Sequence, residues 1–261
     1  MKAFVINLDR SPNRWESFRR ANSRLEADIE RIVAVDGLLL QDKWQHLSRW
    51  MHVTHEHCKL NIHAAIGCYL SHRKCWQQVI NQDLPFALVL EDDAQATHYA
   101  NDLLASYESC PLPVDWLKLH VHRYPNRRDM QKDLGRQLGG LNLCVDMRGS
   151  KSACAYIITQ SGAQKALRAE KLLAPIDHLE WLYLRQGLIF CQTQVNVFEP
   201  AAEHESKISS QPSAIWRRWP AICRIGLLRL TLGRQALRMN YFKAMETFST
   251  WQVQGARSRK T

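Results

Sequence analysis

Five consecutive apolar residues, Phe86-Ala87-Leu88-Val89-Leu90, run directly into Glu91-Asp92-Asp93. The run is short, follows Pro85 and reads as a buried strand. Lys2 to Leu8 has the same character and gives a first parallel strand. Ser11 and Pro12 form a helix start, cap followed by first-turn proline. The helix runs from about Asn13 to Leu25 and turns Trp15, Phe18 and Leu25 inward. Ile32-Val33-Ala34-Val35 is a second short strand, ended by Asp36-Gly37. This strand, helix, strand opening predicts an α/β sheet.

Ala64 to Gln82 carries helical spacing, with Ile66, Tyr69, Leu70, Trp76 and Val79 toward one side. Residues 38 to 63, rich in His and Trp, have poor periodicity and read as short helices or a long loop. A further helix is predicted from Ala94 to Ser109, and a strand at Trp116 to Leu119. Residues 123 to 151 are basic and weakly patterned, which suggests an excursion at the rim of the sheet. Ala153 to Ile158 is a strand, and Thr159 or Ser161 can cap a helix from Gly162 to Ala169. Pro175-Ile176-Asp177 opens a helix through Leu184, and Gly187 to Val197 holds a last strand. The reading is one α/β domain over residues 1–210, with a mainly parallel mixed sheet, and a basic amphipathic helical tail over 211–261.

Composition narrows the class. The 261 residues are 46% hydrophobic and 23% charged, an ordinary globular balance. No run of 18 apolar residues exists, so no helical membrane span is expected. The N-terminus reads as a strand and not a signal peptide, so the chain is expected in the cytoplasm. Its cysteines are then expected as reduced thiols. A zinc site from Cys58 with His55, His57 or His63 does not match a structural zinc spacing. The net charge of +10 is concentrated: from Ala214 onward ten Arg and Lys face the single acid Glu246. The body is near neutral, which argues against nucleic-acid binding.

Glu91-Asp92-Asp93 follows its strand where open α/β folds place ligands. In extended geometry Glu91 and Asp93 share a face and Asp92 takes the other. Two such carboxylates suit Mg²⁺ or Mn²⁺; the alternative is a charged helix N-terminus. At the end of the first strand Asn7, Leu8 and Asp9 can meet a base or ribose, and Arg10 and Arg14 a phosphate. The alternative there is a capped helix start with solvated arginines. Gly67 either permits close packing or marks a helix start. Ser71 and His72 are neighbours that do not face each other on a helix, so they form no hydrolase pair. They suit a polar contact to a sugar or nucleotide, or a plain core role.

The segments VINLDRSPNRW, IVAVDG at 32–37, GCYLSH and LVLEDDA at 88–94, with SACAYIITQSGAQKAL and PID at 175–177, resemble glycosyltransferase family 25. The likeness extends from Lys2 to about Ile208 and includes Ser206-Lys207-Ile208. It implies a GT-A-like fold, a UDP-sugar donor, most often UDP-galactose, and a lipopolysaccharide or lipooligosaccharide acceptor. Glu91-Asp92-Asp93 takes the place of the acidic metal motif, with Glu91 and Asp93 as metal ligands. The motif is EDD and not a strict DxD.

If transfer inverts, a base must take the acceptor proton. Asp177 and Glu180, at i and i+3, are the candidates, Asp177 first because it stands in the PID segment. Asp177 can equally cap its helix or pair with Lys171. His120, His122 and Asp115 are weaker rivals. Arg123, Arg127, Arg128 and Lys132 suit a phosphorylated acceptor core or a solvated loop. Tail residues Ile215, Trp216, Trp219, Ile222, Ile225, Leu227, Leu228, Leu230 and Leu232 alternate with Arg217, Arg218, Arg224, Arg229 and Arg234. That pattern suits the cytoplasmic face of an anionic membrane, or packing on the body or a second subunit. The competing functions are a nucleotidyltransferase and a non-catalytic carbohydrate-binding module.

Overall fold

The computed structural model describes residues 1–40, 62–121, 131–147, 152–169, 176, 179–201 and 219–258. At 62, 180, 181, 219–231 and 252–258 that description is of the backbone alone.

The opening is the expected strand, helix, strand. Strand β1 (Lys2–Asn7) is buried from Ala3 to Asn7, which requires cover on both faces. Helix α1 (Pro12–Ala21) starts at Ser11 with Pro12 in its first turn, and buries Phe18. Strand β2 (Asp28–Val33) lies upstream of the expected Ile32–Val35. It is an edge strand, and its polar Asp28 and Glu30 conceal it from a hydrophobic reading. Lys2 Nζ reaches both, at 3.2 and 2.9 Å.

Helix α2 (Ile62–Asn81) buries Ile66, Tyr69, Trp76 and Val79, the predicted side. Strand β3 (Phe86–Glu91) follows and is buried from Ala87 to Leu90. The predicted helix at 94–109 is instead a short strand β4 (Ala94–Ala96) and a helix α3 (Ala100–Ser109). The first three residues pair antiparallel with β10 (Phe198–Pro200), a long-range contact that local pattern does not carry.

Strand β5 (Trp116–Lys118) is fully buried. The expected rim excursion contains a hairpin, β6 (Gln131–Leu138) and β7 (Leu141–Asp146). Leu138 pairs with Leu141 around Gly139-Gly140, whose φ values of 55° and 76° suit a two-residue turn. Strand β8 (Ala155–Thr159) leads into α4 (Gln160–Leu167), with the Thr159 side chain accepting from Gly162 N. Helix α5 (Leu179–Gln186) and strand β9 (Phe190–Thr193) complete the body.

The main sheet runs β2-β1-β3-β8-β5-β9-β7-β6. It is mixed: β1–β2, β1–β3 and β5–β9 are parallel, and β3–β8, β5–β8, β7–β9 and β6–β7 antiparallel. Trp116 stacks on Tyr156 at 3.8 Å between centroids, and Trp76 meets Trp116 edge-on at 6.0 Å. This aromatic layer seats α2 on the sheet.

The tail forms one long helix, α6 (Trp219–Ser258). Ala236, Leu237, Asn240, Ala244 and Phe248 are buried along one stripe. Asn240 donates to Phe190 O at 2.8 Å and accepts from Phe190 N at 3.0 Å. This part of the tail therefore packs on the body. The tail side chains expected at a membrane up to Leu230 lie outside the described residues. No described helix is long and apolar enough to cross a membrane.

Candidate active site

Strand β1 lies between β2 and β3 and runs parallel to both, so the three strands end at one edge. The chain passes from β1 to β2 on one side, then crosses back to β3 on the other. Such a reversal opens a crevice at the strands' C-terminal ends. The crevice is lined by Asn7 to Arg14 residues, by the 34–38 segment, by Cys68, Ser71 and His72 of α2, and by Glu91-Asp92-Asp93.

The three carboxylates are not equivalent. Asp92 is buried and accepts from Asn7 Nδ2 at 2.7 Å, while its other oxygen accepts from Arg14 Nη2. Asp92 is thus committed to protein donors. Arg14 Nη2 also reaches Asp93 Oδ2 at 3.3 Å. Arg14 Nε is buried and has no hydrogen-bond partner among the described residues. Glu91 and Asp93 keep capacity toward the crevice, with side chains 33% and 18% exposed. Burial pushes the Asp93 carboxyl up to about 6, and the charge of Glu91 adds to it, against the lowering effect of Arg14. One arginine therefore leaves the pair under-neutralised. An oxygen-binding divalent cation fits that donor set and would supply the missing charge.

Glu91 is held from the helix side. His72 Nε2 lies 3.3 Å from Glu91 Oε1, and Nδ1 lies 2.9 Å from Tyr156 Oη, which accepts from Trp76 Nε1 at 2.9 Å. Cys154 Sγ lies 3.7 Å from Asp93 Oδ1, and burial together with the Asp93 charge raises its thiol pKa well above the usual value. Cys154 therefore faces Asp93 as a neutral donor.

The other wall depends on close backbone approach. A Cβ on Gly67 would stand 2.6 Å from Val35 O and 2.8 Å from Gly37 N. The glycine inside α2 is there for packing. Ser71 Oγ accepts from Val35 N at 2.8 Å and donates to Gly67 O at 2.6 Å, so its hydroxyl pins this wall. Arg10 is engaged by Asp36, whose carboxylate also accepts from Leu38 N. Arg31 donates to Asn7 Oδ1 at 2.9 Å and Asp9 Oδ1 at 2.8 Å.

Of the residues expected from sequence, Asn7, Leu8, Arg10, Arg14, Ser71, His72, Glu91, Asp92 and Asp93 converge on this crevice. Asp9 is drawn to Arg31. Asp177 and the Glu180 side chain lie outside the described residues, as do Lys171, His122, Arg123, Arg127, Arg128, Cys58, His55 and His57. Among the rivals, Asp115 accepts from Lys165 Nζ at 2.7 Å and Ile189 N at 2.8 Å, a structural staple. His120 is paired with Ser152 Oγ at 2.6 Å. Lys132 sits 5.1 Å from the Tyr241 ring. Sequence reasoning missed Arg31, Asp36, Cys68, Cys154 and Tyr156. Cys68 carried a signal, four residues before His72 on the same helical face; the other four depend on contacts between segments distant in sequence.

Residues 1–179 match the sequence profile of glycosyltransferase family 25, described as LPS biosynthesis protein. The chain belongs to glycosyltransferase family 25. The profile spans β1 through the start of α5 and so contains the whole family-25 crevice. Procollagen galactosyltransferase 2 of Mus musculus is 27% identical over 184 residues, 67% of this chain and 29% of its own length. Procollagen galactosyltransferase 1 of Danio rerio is 28% identical over 186 residues, 67% of this chain and 30% of its own. Procollagen galactosyltransferase 1-A of Xenopus laevis is 29% identical over 187 residues, with the same coverage of both chains. The match thus spans under a third of the length of these family-25 relatives.

Proposed function

We propose that this chain is a glycosyltransferase that moves a sugar, galactose in the leading reading, from a UDP donor to a lipooligosaccharide or lipopolysaccharide acceptor. The observation that carries the proposal is the under-neutralised Glu91–Asp93 pair at the strand-order reversal of a family-25 chain. The first 210 residues act as a GT-A-like donor-binding domain, with residues 211–261 as its basic helical tail.

Glu91 and Asp93 would hold Mg²⁺ or Mn²⁺, whose chemistry when bound is charge neutralisation of the departing diphosphate. Arg14 adds positive charge at the same edge, preorganised by Asp92 and Asn7. Leu8 and the backbone around Asn7 and Asp9 border the space for the nucleoside, and Arg10 with Asp36 closes its side. His72 fixes the orientation of Glu91. Asp177 is the proposed base that takes the acceptor hydroxyl proton in an inverting transfer, with Glu180 as its neighbour. The arginines between 217 and 229 are proposed to bring the enzyme to an anionic cytoplasmic membrane surface, where a lipid-anchored acceptor resides.

A panel of UDP-sugars assayed for UDP release, with Mn²⁺ or with chelator, tests this reading. Metal-dependent release from UDP-galactose is expected once a lipooligosaccharide acceptor is added. Release of pyrophosphate or nucleoside monophosphate would indicate phosphoryl transfer instead, and sugar binding without turnover a binding module.

A further inference from the structure

We infer that Cys68, His72 and Glu91 form a binding site for a thiophilic divalent cation of the zinc class, which overlaps the oxygen-only pair Glu91–Asp93 at Glu91 alone. Cys68 Sγ, His72 Nε2 and a Glu91 oxygen all lie within 4.8 Å of one another. His72 Nε2 is 3.3 Å and Cys68 Sγ 4.0 Å from Glu91 Oε1. Ligand atoms about 2.0–2.3 Å from one tetrahedral ion stand roughly 3.3–3.8 Å apart, so the His72–Glu91 pair is already at ligand spacing and a shift of the Cys68 side chain by up to about 1 Å completes the site.

The scaffold suits this role. Cys68 and His72 are one helical turn apart on α2, and Glu91 ends β3 opposite them. Two rigid elements therefore set three ligands, and the crevice supplies the open fourth position. The buried His72 ring is oriented by Tyr156 at Nδ1, which leaves Nε2 as the nitrogen aimed at the cluster. Before loading, Trp76 donates to Tyr156 Oη, and in the tautomer that carries its proton on Nε2, toward Glu91, Nδ1 accepts the phenol O–H. Loading bares Nε2 and moves the ring proton to Nδ1, which then donates to the phenol oxygen. The Nδ1–phenol hydrogen bond is kept with its direction reversed, the phenol O–H loses its acceptor, Nε2 exchanges its Glu91 contact for the metal, and the Cys68 thiol proton leaves to solvent; metal–thiolate bonding outweighs these losses. A thiolate and an imidazole select zinc-class ions over Mg²⁺.

Sharing Glu91 makes the two cations compete, so zinc should inhibit sugar transfer even with manganese present. Only that consequence rests on the proposed function. The binding test needs no nucleotide: the reduced, metal-free full chain is titrated with Co²⁺ alone and followed by absorbance. A thiolate-to-cobalt charge-transfer band saturating at one equivalent is expected. It should vanish in Cys68→Ser, survive in Cys110→Ser, and be bleached by Zn²⁺. Glu91→Gln keeps the thiol and should weaken Co²⁺ binding at least tenfold, a second reading should Cys68→Ser lose its fold. No band in the native chain, a band persisting in folded Cys68→Ser, or unchanged affinity in Glu91→Gln would overturn the site.

Discussion

Asn7 Nδ2 stands 2.7 Å from Asp92 Oδ2, joining the end of β1 to the acidic turn after β3. The same asparagine accepts from Arg31 and donates to Ser11 O. Asn7 is therefore a buried hub that positions both Asp92 and the start of α1. Replacement by Ala removes one partner each from Arg31 and Asp92, which keep Asp9 and Arg14, and is expected to cost about 1–3 kcal/mol. Urea denaturation of Asn7→Ala beside the native chain checks this; a change below about 0.5 kcal/mol contradicts the hub.

Asp93 carries a cost that the proposed metal role would explain. Its folded carboxyl titrates near 6, above the ordinary value near 4 of the unfolded chain. The stability contributed by its proton is fully present below about pH 4 and is lost as pH rises through about 6. In chelator at pH 7.5, Asp93→Asn is expected to be more stable than the native chain by about 1–3 kcal/mol, with the difference gone at pH 4. The same variant is expected to lose transfer. Denaturation at both pH values, with a UDP-release assay, checks the pairing. An Asp93→Asn chain less stable at pH 7.5 contradicts the crowded carboxylates.

Gly67 tests the wall of the crevice. An alanine Cβ would meet Val35 O and Gly37 N at 2.6 and 2.8 Å, both backbone atoms that cannot rotate away. Gly67→Ala is expected to cost about 2 kcal/mol or more, although alanine is the better helix former by about 1 kcal/mol. Thermal unfolding gives the sign; a stabilised variant contradicts the close approach of α2 to residues 35–37.

The strands flanking the site were legible because β1 and β3 are buried on both faces and read as unbroken apolar runs. Their abrupt ends marked Asn7 and Glu91 as edge positions. Edge strands were less visible: β2 hides behind Asp28 and Glu30, and β6 is largely polar. The Gly139-Gly140 turn was a readable hairpin signal that the surrounding basic residues masked. The distinct fate of Asp92 was beyond the sequence, since it depends on Asn7 and Arg14 arriving from 85 and 78 residues away. Alternation put Asp92 on the other face, but β3 ends at Glu91 and Asp92-Asp93 turn, so all three carboxylates line the crevice.

The long C-terminal helix is docked through Asn240, buried against the Phe190 backbone. Asn240→Leu strands a backbone donor and acceptor and is expected to cost about 2–4 kcal/mol. The membrane role proposed for the arginines near its start is separable. Changing Arg217, Arg218, Arg224 and Arg229 to Gln should abolish sedimentation with anionic liposomes and leave the melting temperature within about 2 °C. Equal sedimentation by both chains contradicts that role.

Calorimetric titration of UDP tests the central claim most directly. With Mn²⁺ the native chain should bind UDP at least tenfold more tightly than in chelator, and Glu91→Gln and Asp93→Asn should each remove that gain. Manganese-enhanced UDP binding of native strength in both variants would contradict it.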